Sequence, residues 1–315
     1  LLPALGFPKP DPGSMNHFCR AATLTFGLLA VAATAAAQRP VKVFISVDME
    51  GIGGVVTDQQ LGPTGFEYNR FREFMTAEAL AAIEGARQAG ASQFVIADSH
   101  GNMQNLLIDR FPRDVTIIRG SPRPLSMMEG IDSTFSAVFF IGYHSATTNP
   151  EGVRAHTISS ATFAAVKING RASAESGLNA AVAGHFGVPV ALVTGDEAAV
   201  DEVRAIAPTV EGAVVKRAIG FHSAAVMTPE ASQAMIREKA RAAISRLREM
   251  RPYAVPAGPV RLELTYKNYT PAELMAYLPG VERVDAHTVR FTGRNILEIP
   301  RFIQVATGYR ADLTP

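Results

Sequence analysis

The sequence predicts an α/β fold: a larger α/β domain with a mostly parallel sheet, followed by a smaller C-terminal α+β domain. Two observations predict it. From Val41 to about Arg251, short apolar runs bounded by glycine and polar turns alternate with longer stretches of helical spacing, as in successive βαβ units. After Pro252 the texture changes to a proline-rich start and hairpin-type strands. The expected organisation is therefore residues 38–252 as the α/β domain and 253–315 as the smaller one.

Each element follows from its residues. "VKVFISVD", from Val41, is a run of β-branched and aromatic side chains and reads as a buried strand. Glycines and a polar loop follow to about Gly65. "EYNRFREFMTAEALAAIEGARQAG" has apolar residues at helical spacing and stops at Gly90. "SQFVIADSHG" and "SAVFFIGYH" are strands running into polar turns, with the short strand "DVTIIRG" between them. "FAAVKING" enters a hairpin turn at Asn169-Gly170. "SAESGLNAAVAGHFG" is helical, "VPVALVTGD" is a strand and "EAAVDEVRAIAP" is a helix. "AVVKRAI" precedes the long helix "TPEASQAMIREKARAAISRLREM", opened by Thr228-Pro229. The C-terminal part reads as a strand in "VPAGPVRLELTYKNY", a short helix, a hairpin-like pair around Arg283 to Phe291 and a terminal helix.

The N-terminal residues are expected to lie outside this fold. "MNHFCRAATLTFGLLAVAATAAAQ", from Met15, combines a short polar region containing Arg20, an apolar run and small residues before Gln38. This is the pattern of a secretory signal peptide over residues 15–37, with Ala35 and Ala37 at the small-residue positions. The run is short and alanine-rich for a membrane span. Residues 1–14 precede Met15 and read as a leader or cloning scar. An exported, periplasmic or secreted protein is the expectation, with no membrane association after cleavage. The single cysteine, Cys19, would leave with the signal, so disulfides, thiolate ligands and a cysteine nucleophile are not expected. The net charge is +1 and no basic block stands out, which argues against a nucleic-acid partner.

The chemistry-bearing residues gather where strands end. Asp48 and Glu50 follow the first strand two residues apart, about 6.6 Å along an extended chain and on the same side. Like charges at the end of a sheet repel unless a cation or a proton lies between them; the plainer alternative is that both face solvent. "FVIADSH" delivers Asp98 and His100, and "FFIGYH" delivers His144. If these strands are parallel neighbours, their terminal side chains meet at one edge, where ligands of open α/β sheets bind. Carboxylates with imidazoles suit zinc and related divalent ions. Glu175 opens a helix of small and apolar residues; it is a further ligand candidate, although a carboxylate there also favours the helix dipole. His156, in the loop after His144, is the candidate non-ligand acid or base, with a surface histidine as the alternative. His185, His222 and His287 have no convergent partner in the sequence. "GIGGVV" is an incomplete dinucleotide-binding turn, with Val56 at the third glycine position, and no GxSxG, HExxH or P-loop motif is present.

"SVDMEG", "DSHG", "GYH" and "ESGLNA", in this order and spacing, resemble the zinc-dependent D-aminopeptidases of the DppA type, from about Val41 to the C-terminus. The resemblance implies two zinc ions (Zn2+) per subunit held by Asp48, Glu50, His100, His144 and Glu175, with Asp48 as the bridge. It places the family's catalytic histidine on His156. It also implies a ring-shaped homodecamer and release of D-amino acids from the N-termini of short peptides. Read from the residues alone, a divalent-metal phosphoester or amide hydrolase and an exported zinc- or peptide-binding protein remain alternatives at this point.

Overall fold

The computed structural model describes residues 40–255 and 257–309. The expected leader and signal peptide lie outside the described residues. The chain runs β1 (Val41–Val47), α1 (Tyr68–Gln88), β2 (Ala91–Asp98), β3 (Val115–Ile118), β4 (Ala137–Tyr143), β5 (Phe163–Ile168), β6 (Arg171–Ala172), α2 (Glu175–His185), β7 (Val190–Asp196) and α3 (Glu197–Ile206). It continues through β8 (Glu211–Gly220), β9 (Ser223–Val226), α4 (Pro229–Ser245), β10 (Val260–Tyr266), α5 (Tyr269–Met275), β11 (Val281–Arg283), β12 (Thr288–Gly293) and α6 (Glu298–Gly308).

A seven-stranded sheet has the order β3-β2-β1-β4-β7-β8-β9. It is parallel except for β9, which turns back antiparallel on β8. The chain builds outward from β1 to β2 and β3, then returns to the other side of β1 to lay down β4. The crevice beyond the ends of β1 and β4 is therefore a topological switch point, where open parallel sheets bind ligands.

Alternation along β1 sends its side chains to two faces. Val43, Ile45 and Val47 join an apolar core with Met75, Ala79 and Ala82 of α1 and Ile236 and Ala240 of α4. Phe44 faces the second core, shared with Phe140, Leu178, Val193 and the smaller sheet. That sheet has five strands in the order β11-β12-β10-β5-β6 and is antiparallel. The expected α/β plus α+β architecture is present, with one difference in how it is assembled. Strands β10 to β12 come from the 253–315 stretch, but β5 and β6 come from within 38–252. Leu262 and Leu264 of β10 sit opposite Ile168 and Val166 of β5, so apolar side chains of both segments line the same ladder. Two boundaries also differ. The long helix stops at Ser245 before a short 3-10 turn at Leu247–Glu249, and β9 forms a hairpin with β8 that the sequence did not announce. Among the described residues, no helix is long and apolar enough to cross a membrane.

Candidate metal centre

Asp48 follows the last residue of β1, and Asp48 N–H still donates to the Ile141 carbonyl of β4 at 2.8 Å. Glu50 sits in the turn that follows. His100 comes two residues after β2 and His144 directly after β4. Glu175 is the first residue of α2, and His156 lies in the loop between β4 and β5. All six are buried. They form two groups whose ligating atoms lie within 4.8 Å of one another: Asp48, Glu50 and His100, and His144, His156 and Glu175.

Asp48 joins the two groups. Its Oδ1 is 3.3 Å from His100 Nδ1 and its Oδ2 is 3.3 Å from His144 Nε2. Glu50 Oε2 is 2.8 Å from His100 Nδ1, and Glu175 Oε2 is 3.4 Å from His144 Nε2. The His156 ring stacks on His144, with centroids 4.0 Å apart and planes 11° from parallel. Its Nε2 lies 3.7 Å from Glu175 Oε1 and 3.9 Å from Glu50 Oε1.

Each imidazole is oriented by a backbone carbonyl. His100 Nε2–H donates to Leu61 O (2.7 Å), His144 Nδ1–H to Ser145 O (3.1 Å) and His156 Nδ1–H to Arg154 O (2.8 Å). A carbonyl accepts only from an N–H, so the nitrogen facing the centre is the one at which a metal ion could take the place of a proton. Metal-ligating histidines show this arrangement. Ile158 N–H donates to Glu175 Oε1 at 2.6 Å, fixing that carboxylate.

The electrostatics are interdependent. Burial pushes the Asp48 carboxyl up, and the Glu50 charge beside it pushes further. Burial also opposes a charged Glu50, but His100 outweighs it and holds that carboxyl well below its usual range. Burial opposes a charged His144; the Glu175 and Asp48 carboxylates override it and hold the ring well above the ordinary histidine value. The donor set fits a divalent ion. Asp48 Oδ2 and His144 Nε2 are buried, face each other at 3.3 Å and have no hydrogen-bond partner. Buried polar atoms are seldom left so, and with an ion in place of the His144 proton a carboxylate oxygen and an imidazole nitrogen aimed at one point match the first shell of zinc.

Two strand-ending acids take other roles. Asp98 does not join the cluster. Its carboxylate accepts from Asn105 N–H, Asn105 Nδ2–H and Leu106 N–H at 2.5–2.9 Å, shaping the turn that carries His100. Three nearby donors satisfy it better than a place among like charges would. Asp196, which the sequence reading passed over, ends β7 in the same way. It caps α3 through Ala199 N–H (2.8 Å) and holds Val153 N–H (2.6 Å) of the loop bearing His156. Its signal was present in "VALVTGD", one more apolar strand closing on an acid. Under the centre, Tyr143 O–H donates to Ser46 Oγ (2.7 Å) and accepts from Asn179 Nδ2–H (2.9 Å), tying β4, β1 and α2 together. Of the remaining histidines, His222 approaches Arg154 at 3.3 Å rather than the cluster.

The glycines after Glu50 are required by the backbone. Gly51 N–H donates to Gly142 O at 2.7 Å, and a Cβ on Gly51 would lie 2.0 Å from the Tyr143 carbonyl oxygen. The turn thus packs directly on the end of the strand that delivers His144. Gly51→Ala is expected to lower stability by about 1–3 kcal/mol, the usual cost of overpacking, measured by denaturant unfolding of the metal-free protein. An unchanged midpoint would show that the turn and β4 can separate freely.

The comparisons with known proteins agree with this geometry. The family model described as D-aminopeptidase matches residues 41–305. A D-aminopeptidase of Bacillus subtilis is 34% identical over 270 residues, covering 84% of this chain and 96% of the relative. The solved structure described as the Zn-dependent D-aminopeptidase DppA from Bacillus subtilis, a self-compartmentalizing protease, superposes with a TM-score of 0.82 at 33% identity. It covers 87% of this chain and 100% of the other. The chain therefore belongs to the D-aminopeptidase family of peptidases.

Proposed function

We propose that this protein is a zinc-dependent aminopeptidase that releases N-terminal D-amino acids from short peptides. The observation carrying this reading is the pair of buried carboxylate–histidine groups joined through Asp48 at the switch point of the sheet. Asp48, Glu50 and His100 would hold one zinc ion and His144 and Glu175 the other, with Asp48 shared. Two zinc ions held there would supply Lewis acidity toward the scissile carbonyl and the attacking water. The chain's own groups do the rest. His156, with Nδ1–H committed to Arg154 O, exchanges a proton at Nε2 with the leaving amine or donates a hydrogen bond to the developing oxyanion. Asp196 and Glu175, through Val153 and Ile158, fix the loop on either side of it.

The phosphoester reading needs free cations at the site. Arg154 is engaged by Asp58 and His222, and Lys216 by backbone carbonyls. Zinc analysis together with cleavage of matched D- and L-dipeptides and a phosphoester panel tests the assignment. Chelator-reversible hydrolysis of the D-peptides is expected; turnover of phosphoesters alone would replace it, and zinc binding without hydrolysis would favour a binding protein.

Self-association is part of the proposal. The relative of known structure is described as self-compartmentalizing, and Tyr269, Leu274, Tyr277 and Leu278 are exposed together on and after α5. A homodecamer is the expected assembly. Light scattering at micromolar concentration should give a mass many times that of one chain, and a monomer would reject it. Export is proposed from the "FGLLAVAATAAAQ" pattern. Intact mass of protein recovered outside the cytoplasm should correspond to a chain starting at Gln38; one still starting at Met15 would overturn the signal peptide.

A further inference from the structure

Strand β8 carries a cation where an apolar residue would be ordinary. In "AVVKRAI", Val215 and Lys216 are both buried, Lys216 with only 2% of its surface exposed. Buried lysines are rare unless their charge and donors are fully used. Lys216 lies opposite Asp196 of β7 in the ladder, at the edge of the sheet where the metal centre sits. Its ammonium donates to three carbonyls of one turn: Glu50 O, Ile52 O at 3.3 Å and Val55 O at 2.6 Å. An ammonium has three N–H donors and no lone pair. All three are engaged, so Lys216 has no donor left for a substrate.

The same turn is held from the other side. Glu78 of α1, also buried, accepts from Gly53 N–H and from Ser232 Oγ–H of α4, each at 3.0 Å. The groups facing the Lys216 charge are the carboxylates of Asp196, Glu78 and Glu50, with the Arg154 cation opposing them. The turn from Glu50 to Val55 thus has three carbonyls bound by the buried Lys216 ammonium, one N–H bound by the buried Glu78 carboxyl group, which burial pushes up to about 7, and Gly51 N–H bound to β4. A six-residue turn with this many glycines has no conformation of its own to enforce.

We propose that Lys216 and Glu78 are positioning residues: a buried two-sided clamp from β8 and α1 that fixes the turn Glu50–Val55 and so aims the Glu50 carboxylate at the zinc shared with Asp48 and His100. The inference rests on the zinc reading given above and adds to it the support of one ligand. Neither residue touches substrate or metal. Outer partners that orient a ligand typically change metal affinity by about 10–100-fold when removed.

The test uses the full chain, stripped of metal and titrated with zinc against a chromophoric chelator, with thermal unfolding of the metal-free protein alongside. Lys216→Met should lower the melting temperature, because it leaves three buried carbonyls of the turn without their donor. The double variant Lys216→Met with Glu78→Gln also replaces the buried Glu78 carboxyl, whose Oε2 has no hydrogen-bond partner, by a neutral amide and should recover part of that loss. Its zinc affinity should nonetheless stay reduced about 10–100-fold for one of the two equivalents, because the three carbonyls are still unheld. Recovered stability with impaired zinc binding is a result that a merely structural pair would not give. A zinc isotherm for the double variant that superimposes on wild type overturns the clamp. If the double variant does not fold, Glu78→Met alone carries the test, because it removes the acceptor of Gly53 N–H: zinc binding weaker by about 10–100-fold is expected for one equivalent, and unchanged binding overturns the clamp. Asp48→Asn, titrated in parallel, separates the two levels. Zinc binding absent from the wild type would remove the metal reading itself, normal binding by Asp48→Asn would remove only its bridging role, and loss in Asp48→Asn beside a normal double variant would remove only the clamp.

Discussion

Asp48→Asn is expected to lose zinc and hydrolysis together while keeping its fold. The carboxylate reaches both halves of the centre, with Oδ1 toward His100 and Oδ2 toward His144. Asparagine has the same shape and no charge. A unit charge about 4 Å from a cation is worth roughly 4 kcal/mol at an effective dielectric near 20, or about a thousandfold in affinity, and a bridging position applies this to two ions. Turnover on a D-alanyl peptide should fall in step with zinc content. Stability should move the other way. In the metal-free chain Asp48 is a buried carboxylate with an unpartnered oxygen beside Glu50, and its carboxyl is pushed up by burial. Removing that charge should leave the melting temperature of the metal-free variant at or above that of the metal-free wild type, the sign of a residue kept for binding rather than folding. Zinc measured per subunit and thermal unfolding after chelation check both halves. Full zinc occupancy in the variant would overturn the bridging role.

The parts of the centre that were legible in the sequence are those that follow from strand geometry. Asp48, His100 and His144 each close an apolar run, and parallel neighbouring strands bring such ends to one edge whatever lies between them. Glu50 follows from its spacing to Asp48, and the structure brings Glu175 and His156 to the same place. What could not be read depends on local competition and long-range register. Asp98 carries the same strand-end signal as Asp48, but Asn105 and Leu106, seven and eight residues on, supply the N–H groups that occupy it. Asp196 has the signal too, yet its partners are a helix start and Val153, forty-three residues away in the chain. The recruitment of β5 and β6 into the smaller sheet is a pairing between Phe163–Ile168 and β10, nearly a hundred residues later, and no local pattern announces it. Lys216 was visible as a cation inside an apolar strand, but the three carbonyls that explain it belong to a turn 161 to 166 residues earlier.

His156→Ala is expected to keep both zinc ions and lose most of the turnover. His100 and His144 leave the sheet within two residues of a strand end, and a short rigid path suits a ligand. His156 sits on a loop instead, yet that loop is pinned: Val153 N–H to Asp196, His156 N–H to Ser145 O at 3.0 Å, and Ile158 N–H to Glu175. The ring is thereby stacked on His144 with Nε2 toward the carboxylates, 3.7 Å from Glu175 and 3.9 Å from Glu50. These distances exceed hydrogen bonds, so Nε2 remains open to a group arriving beside the centre. General acid–base assistance contributes about 10²–10⁴-fold, and the rate on a D-alanyl peptide should fall within that range at unchanged zinc content. The geometry also admits ligation, since His156 groups with His144 and Glu175, and metal analysis separates the two. Zinc lost in proportion to rate would make His156 a ligand. Zinc and rate both intact would leave it as a packing partner of His144 and move the proton transfer to another group.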